Sequence, residues 1–312
     1  MHPLLVLAAM LGTMPAEPAM APPVSAAAET VTLIFQPPLD RPIRYRIAQS
    51  RAQSDRVNAA SEWVEELRFA KAGAGYTLQW KIDPASAQEI LKDPALAPLL
   101  LPFTTQTITF DVDAEGEVLR ARDWDSVRPR LLETVDKLPL AAGTTAAERA
   151  QAKAQIRSLF EGMTAEQAPA ILLKSLQPVL GWGGTSTREG EVRETTGAST
   201  IPMFNIPLER TTSVTLESAT ADRATFRIRS TVTKEALTSM IAGMAERVGI
   251  PLDSEKGREM QAQLSQLASA MTDESVASFD RATALPRHLR NDRRASMGGK
   301  ALQQTLEITR LD

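Results

Sequence analysis

Few side chains in this sequence can do chemistry, and their spacing narrows what they can do. The chain holds two histidines and no cysteine. His2 belongs to an apolar leader, so His288 alone is left for imidazole chemistry. That excludes a metal site built from several histidines and makes His288 the necessary base of any Ser-His-Asp arrangement. Its setting, Pro286-Arg287-His288-Leu289-Arg290, reads as the end of a polar strand. No Gly-x-Ser-x-Gly elbow occurs, and Ser296-Met297-Gly298-Gly299-Lys300 is one residue too long for a Ser-x-x-Lys pair. Gly181-Trp182-Gly183-Gly184 lacks the Gly-Lys-Ser/Thr ending of a phosphate loop. Without cysteine there is no thiolate nucleophile, no disulfide and no Cys-ligated metal. No catalytic residue, metal or cofactor is assigned, and the chain is read as a non-enzyme.

Four other patterns are candidates for binding. Asp111, Asp113, Glu115 and Gly116 resemble the start of a calcium loop, but the closing position holds Arg122 where a bidentate Glu belongs, so a solvated hairpin turn is expected. Arg287, Arg290, Arg293 and Arg294 form the densest basic cluster. They could grip a phosphate-bearing envelope component such as a lipid head group; the plainer reading is a charged strand edge that discourages aggregation. The segment Pro94-Ala95-Leu96-Ala97-Pro98-Leu99-Leu100-Leu101-Pro102-Phe103 carries three prolines among large apolar residues. It either covers the core or offers Leu99 and Leu101 to a partner. Met240, Met244, Met260 and Met271 form a stripe suited to a groove for varied apolar ligands, or equally to an irregular core.

The elements that must position these residues follow from periodicity. Ile43, Tyr45 and Ile47 alternate with Arg44 and Arg46; Tyr76, Leu78, Trp80 and Ile82 line one face after a Gly73-Ala74-Gly75 turn; Ile108 and Phe110 lead into a hairpin at Asp113. Helical spacing follows at Val127, Leu131, Leu132, Val135 and Leu138, and Thr145 with Glu148 makes a capping box. Strands return over 208–216 and 225–232, then two helical stretches carrying the Met stripe, then a closing hairpin set from Phe279 to Ile308. Tyr76–Lys81 matches Ala224–Arg229, and Phe110–Asp113 matches Phe279–Ala282, in the same order. The expected fold is therefore α+β: curved antiparallel β-sheets covered by amphipathic helices, with a possible internal duplication. The organisation is read as a signal peptide over 1–28, a first β-rich half over 29–124, a helical block over 125–180, and a second α+β half over 181–312 that can form one domain with 29–124.

Residues 1–28 set the compartment. An apolar run from Leu4 to Leu11, too short to span a bilayer, precedes small residues at Ala19-Met20-Ala21, Val24-Ser25-Ala26 and Ala26-Ala27-Ala28, which read as signal cleavage sites. The leader has no Lys or Arg. The expected location is periplasmic or secreted, in a bacterium, without a lipidated cysteine and without a spanning helix in the mature part. A net charge of −3 provides no general field for nucleic acid.

The closing segment, Ser278-Phe279-Asp280-Arg281-Ala282-Thr283-Ala284-Leu285-Pro286 through Leu306-Glu307-Ile308, resembles uncharacterised exported bacterial proteins that carry a domain of unknown function. That group ends in a strand reading Phe/Tyr-Asp-x-x-Thr-Gly-Leu-Pro, a polar strand, a Gly turn and a last strand. Ala284 stands where the group has Gly, and the likeness also touches Phe110 to Leu119. It implies no known activity. Three functions are carried forward. The first is a non-catalytic envelope protein holding a lipid or another apolar or amphipathic ligand. The second is an envelope scaffold or assembly partner using the 94–103 loop, and the third a hydrolase centred on His288 or carboxylates.

Overall fold

The computed structural model describes residues 30–53, 56–90, 92, 100–137, 145–201, 206–232, 272–297 and 300–311, with a few positions between 239 and 262. The leader, Leu99 and all four methionines of the stripe lie outside the described residues.

Period-two alternation dominates the chain. β1 (Thr30–Thr32) pairs with β7 (Ser186–Arg188) in a small sheet. All other strands join one antiparallel sheet of eleven, in the order β6-β5-β4-β3-β2-β13-β12-β11-β10-β9-β8. These are β2 (Pro42–Gln53), β3 (Arg56–Ala72), β4 (Gly75–Ile82), β5 (Ile108–Val112) and β6 (Val118–Ala121), then β8 (Val192–Ile201), β9 (Ile206–Ala219), β10 (Arg223–Val232), β11 (Thr272–Asp280), β12 (Leu285–Met297) and β13 (Lys300–Arg310).

This corrects the α+β expectation: the chain is mostly β, and its sheet is not covered by helices. Among the described residues there are four helices, α1 (Ala87–Ile90), α2 (Trp124–Lys137), α3 (Ala146–Glu161) and α4 (Ala168–Leu172). The longest has 16 residues, a length of about 24 Å, whereas eleven strands extend about 50 Å across. Apolar alternation ends before the strands do. The backbone ladder continues through polar residues, so β2 reaches Gln53 and β8 runs through Arg193-Glu194-Thr195-Thr196, which carries no apolar period at all.

β2–β6 and β8–β12 are each an up-and-down meander, and β13 lies between them, pairing with β2 on one side and β12 on the other. The matched segments of the sequence fall on β4 and β10, and on β5 and β11, which hold equivalent places in the two meanders. One buried cluster serves both, from Val31 through Trp80 and Phe110 to Phe226, Phe279 and Ile308. Residues 31–37 form a strap over one end of the sheet. Val31, Leu33 and Phe35 are buried while Ile34 is exposed. Hydrogen bonds fasten the strap to both meanders, with Gln36 N donating to Thr283 O at 3.3 Å and Tyr76 Oη to Phe35 O at 3.2 Å.

Gly181-Trp182-Gly183-Gly184 is the joint between the halves. Gly183 N donates to Glu115 O at 2.9 Å and Gly181 N to Gly116 O at 3.0 Å. A Cβ on Gly183 would lie 2.3 Å from Glu115 O. Trp182 packs on Phe279 and Phe226, with ring centroids 4.6 Å and 5.4 Å away. In the Asp280 turn, Ala284 has φ +55° and is buried, a left-handed conformation that suits glycine. Asp280 holds the turn by accepting from Ala282 N at 3.0 Å and Arg287 Nη2 at 2.8 Å.

Among the described residues, Glu65 is the most deeply buried carboxyl. Trp63 Nε1 donates to it at 2.7 Å, Trp80 Nε1 at 2.6 Å and Ser175 Oγ at 2.5 Å. Ser175 belongs to the segment after α4, which lies on the sheet through the buried Leu173, Leu176 and Val179.

Candidate functional site

The inner face of the sheet, the one that carries the core, changes chemistry along the strands. One cross-strand row is Ile47, Ile308, Leu289, Ala277, Phe226 and Leu216, in register from β2 to β9 and all buried. Two residues along, the row is Gln49, Leu306, Asn291, Ser275, Ile228 and Val214. Two residues further it is Arg51, Gln304, Arg293, Asp273, Ser230 and Thr212. Side chains two apart on a strand share a face and are about 7 Å apart. Over about 14 Å the same surface therefore passes from wholly apolar through mixed to wholly polar.

The polar row is internally organised. Asp273 accepts from Arg293 Nη2 at 2.6 Å and Nε at 3.1 Å, from Asn291 Nδ2 at 2.5 Å, and from Arg210 Nη2 at 3.5 Å. Thr212 and Ser230 hydroxyls meet at 3.0 Å. With its amide oriented to accept, Gln49 takes Arg51 Nη2 at 3.1 Å and Gln304 Nε2 at 2.7 Å. Lys174 follows Leu173 and precedes Ser175 in the covering segment. Partial burial, then the charges of Arg293 and Arg51, push its pKa below the ordinary lysine value.

The four arginines singled out in the sequence do not form one site. Strand alternation sends Arg293 to the inner face and Arg290 and Arg294 to the outer, while Arg287 sits at the register shift opposite Ser278 and Phe279. Arg287 is bound to Asp280 and Arg293 to Asp273. Arg290 pairs with Asp292 at 2.8 Å, and Arg294 adds its field to the same carboxylate. His288 is also on the outer face, its Nε2 3.1 Å from Glu307 Oε1 with both side chains substantially exposed. Ser278, its cross-strand neighbour, has an Oγ with no hydrogen-bond partner among the described residues. Asp113 spends its carboxylate on its own turn, accepting from Glu115 N at 3.0 Å and Glu117 N at 2.8 Å. Of the apolar loop, Leu100 and Leu101 pack against the core, and Phe103 lies 5.0 Å from the Trp80 ring.

Arg51, Lys174, Arg210, Asp273 and Asn291 were missed in the sequence. The signal was available for one of them: continuing the Ile43-Tyr45-Ile47 alternation leads through Gln49 to Arg51. Lys174 and Arg210 had no local signal, because only the tertiary fold brings their charges near Arg293 and Asp273. A groove of about 700 Å³ lies beside Arg120, Trp124, Arg128 and Met163. Its cations are already paired, Arg120 with Asp111 at 2.9 Å and Arg128 with Asp125 at 3.4 Å. No helix of the described residues is long and apolar enough to cross a membrane.

No family model matches the chain, and no curated protein sequence matches it. Among solved structures, the crystal structure of Rv2717c from M. tuberculosis aligns over 86% of this chain and 91% of its own length, at 8% identity and a TM-score of 0.21.

Proposed function

We propose that this chain is an exported, non-catalytic binding protein of the bacterial envelope that holds an amphipathic ligand at the polar end of its inner sheet face. The observation carrying this reading is the three-row gradient from Ile47 and Ile308, through Gln49 and Leu306, to Arg51 and Gln304. A surface whose two ends differ in this way complements a molecule whose two ends also differ. The apolar row itself is buried, and Leu176 and Val179 of the covering segment belong to the same core cluster. The ligand's apolar part therefore belongs at the boundary, where Leu306, Ile228 and Val214 are only partly buried. The Met240–Met271 stripe supports this from the sequence alone, since residues 233–271 connect β10 to β11 at the polar end. Export rests on the 1–28 leader.

The test is native mass spectrometry of the full chain, with solvent extraction of the same preparation. A co-purifying amphiphile released on unfolding is the expected result. Repeated ligand-free preparations that also fail to take up short-chain phospholipid or fatty acid would remove this reading.

A further inference from the structure

We infer that the outer edge of β8 is an interaction surface, and that its occupant is the β8 edge of a second copy of this chain. Among the described residues β8 pairs with β9 alone. The ladder determines which backbone groups the other side offers. Gly190 N donates to Leu216 O at 2.9 Å, so the backbone groups of Leu216 point away from β10 and toward the β8 side. Alternation turns Val214, Thr212, Arg210 and Leu208 the same way, onto Arg193, Thr195, Gly197 and Ser199. The N–H and C=O groups of Val192, Glu194, Thr196, Ala198 and Thr200 therefore face outward, and none of these residues is proline. The 3.4 Å contact between the Thr196 and Thr211 hydroxyls agrees, since opposed residues that exchange no backbone bonds hold their side chains closer.

The two edges of the sheet differ. β6 has 4 residues, a register shift against β5, and Ala121 N already donating to Ala165 O at 2.8 Å. β8 has 10 residues, no Lys or Pro, and an unbroken register with β9. Residues 192–197 are all exposed, so both faces of this strand are open as well as its edge. A long edge without protective devices is what sheets avoid unless it is used. The side chains point to the occupant. A foreign strand is selected by pockets beside the edge, whereas Thr211, Thr212 and Ser213 on β9 are short and polar. Self-pairing requires only that the edge match itself. Antiparallel pairing about a two-fold axis at Thr196 sets Val192 opposite the partner's Thr200 and Glu194 opposite the partner's Ala198, which uses every outward group. Arg193 then stands opposite the partner's Ser199, and no like charges meet. An axis at Glu194 would set two carboxylates against each other. The contact is isologous and closed, and one strand pair is small among specific interfaces, so the dimer is concentration-dependent.

Sedimentation velocity of the full chain, from micromolar to submillimolar concentration, should show a reversible monomer–dimer equilibrium. Thr196→Pro removes the central outward N–H, which β9 does not use, and should weaken association at least tenfold. Thr196→Lys should do the same by placing two ammonium groups face to face at the axis, and it serves if the proline disturbs β8. Thr196→Val keeps the N–H and the strand preference and should dimerise as the parent does. Thermal melts of dilute samples check that each variant folds. Hydrogen exchange resolved by residue adds an alternating signature. Raising the concentration should protect the amides of Glu194, Thr196 and Ala198, while those of Arg193, Thr195 and Gly197, already bonded to β9, change little. A chain that stays monomeric throughout overturns the proposal. So does a dimer that persists in the folded Thr196→Pro and Thr196→Lys chains, or protection gained at other strands instead.

Discussion

Glu65 concentrates the physics of the core in one residue. Burial pushes its carboxyl above the ordinary value of 4.5, and the bonds from Ser175, Trp63 and Trp80 pull downward without cancelling it. The geometry accommodates the neutral form: Ser175 Oγ can reverse and accept the carboxyl proton while both indoles keep donating. An acid whose pKa is higher folded than unfolded binds its proton more tightly in the native state. Its contribution to stability is thus complete below the unfolded value and is lost as pH rises from there to the folded value. Glu65→Gln removes the titration and sets an amide N–H against one of the donors, which costs about 1–3 kcal/mol. Urea unfolding between about pH 4 and pH 8 should show the gap between parent and variant narrowing as pH rises through that window. A gap that widens would mean the carboxylate is the favoured form. The sequence announced none of this. Glu65 sits in Trp63-Val64-Glu65-Glu66-Leu67, where strict alternation put a carboxyl on the buried face, and its partners Trp80 and Ser175 are remote in the chain.

At the scale of elements, the apolar strands were legible and the polar ones were not. Tyr76, Leu78, Trp80 and Ile82 alternate because they face a core, and the structure buries all four. Thr195, Thr196 and Gly197 alternate nothing, yet they are held in β8 by the ladder to β9. The arginine cluster shows the same limit from the other side. Nearness in sequence placed four cations together, and the pleat and register shift of β12 separated them. Gly-Trp-Gly-Gly was legible only as something other than a phosphate loop; its role as a joint depends on the Glu115 turn that it meets. Gly183→Ala forces a Cβ onto Glu115 O and Phe35, so a loss of about 2–3 kcal/mol is expected, at the upper part of the overpacking range. Gly197→Ala, in β8 with nothing within 4 Å of the added carbon, should instead be neutral or stabilising by up to about 1 kcal/mol. Paired thermal melts check the contrast, and equal effects at both positions would mean that the 181–184 segment does not bear on the turn.

For the whole molecule, the decisive fact is that the last strand completes the sheet in its middle. β13 joins the two meanders, with Leu302–Arg310 in register against Tyr45–Gln53 and His288–Met297 on its other side. Neither half can satisfy the inner edges of β2 and β12 without it. The strap at 31–37 and Trp182 fasten the halves a second and third time, and the buried cluster runs through both. Sequence reading could divide the chain at 124 and 180 because composition changes there, but pairing between its two ends leaves no local trace. Such non-local contacts predict slow folding and a single cooperative unit. Calorimetry of the full chain should give one transition whose calorimetric and van't Hoff enthalpies agree. A chain ending at Met297 should give none, because it exposes the inner edges of β2 and β12 and separates the Arg51 side of the polar row from the Arg293 side. Two transitions in the full chain, or one retained in the shortened chain, would show that the meanders are independent and that the polar row is not held as one surface.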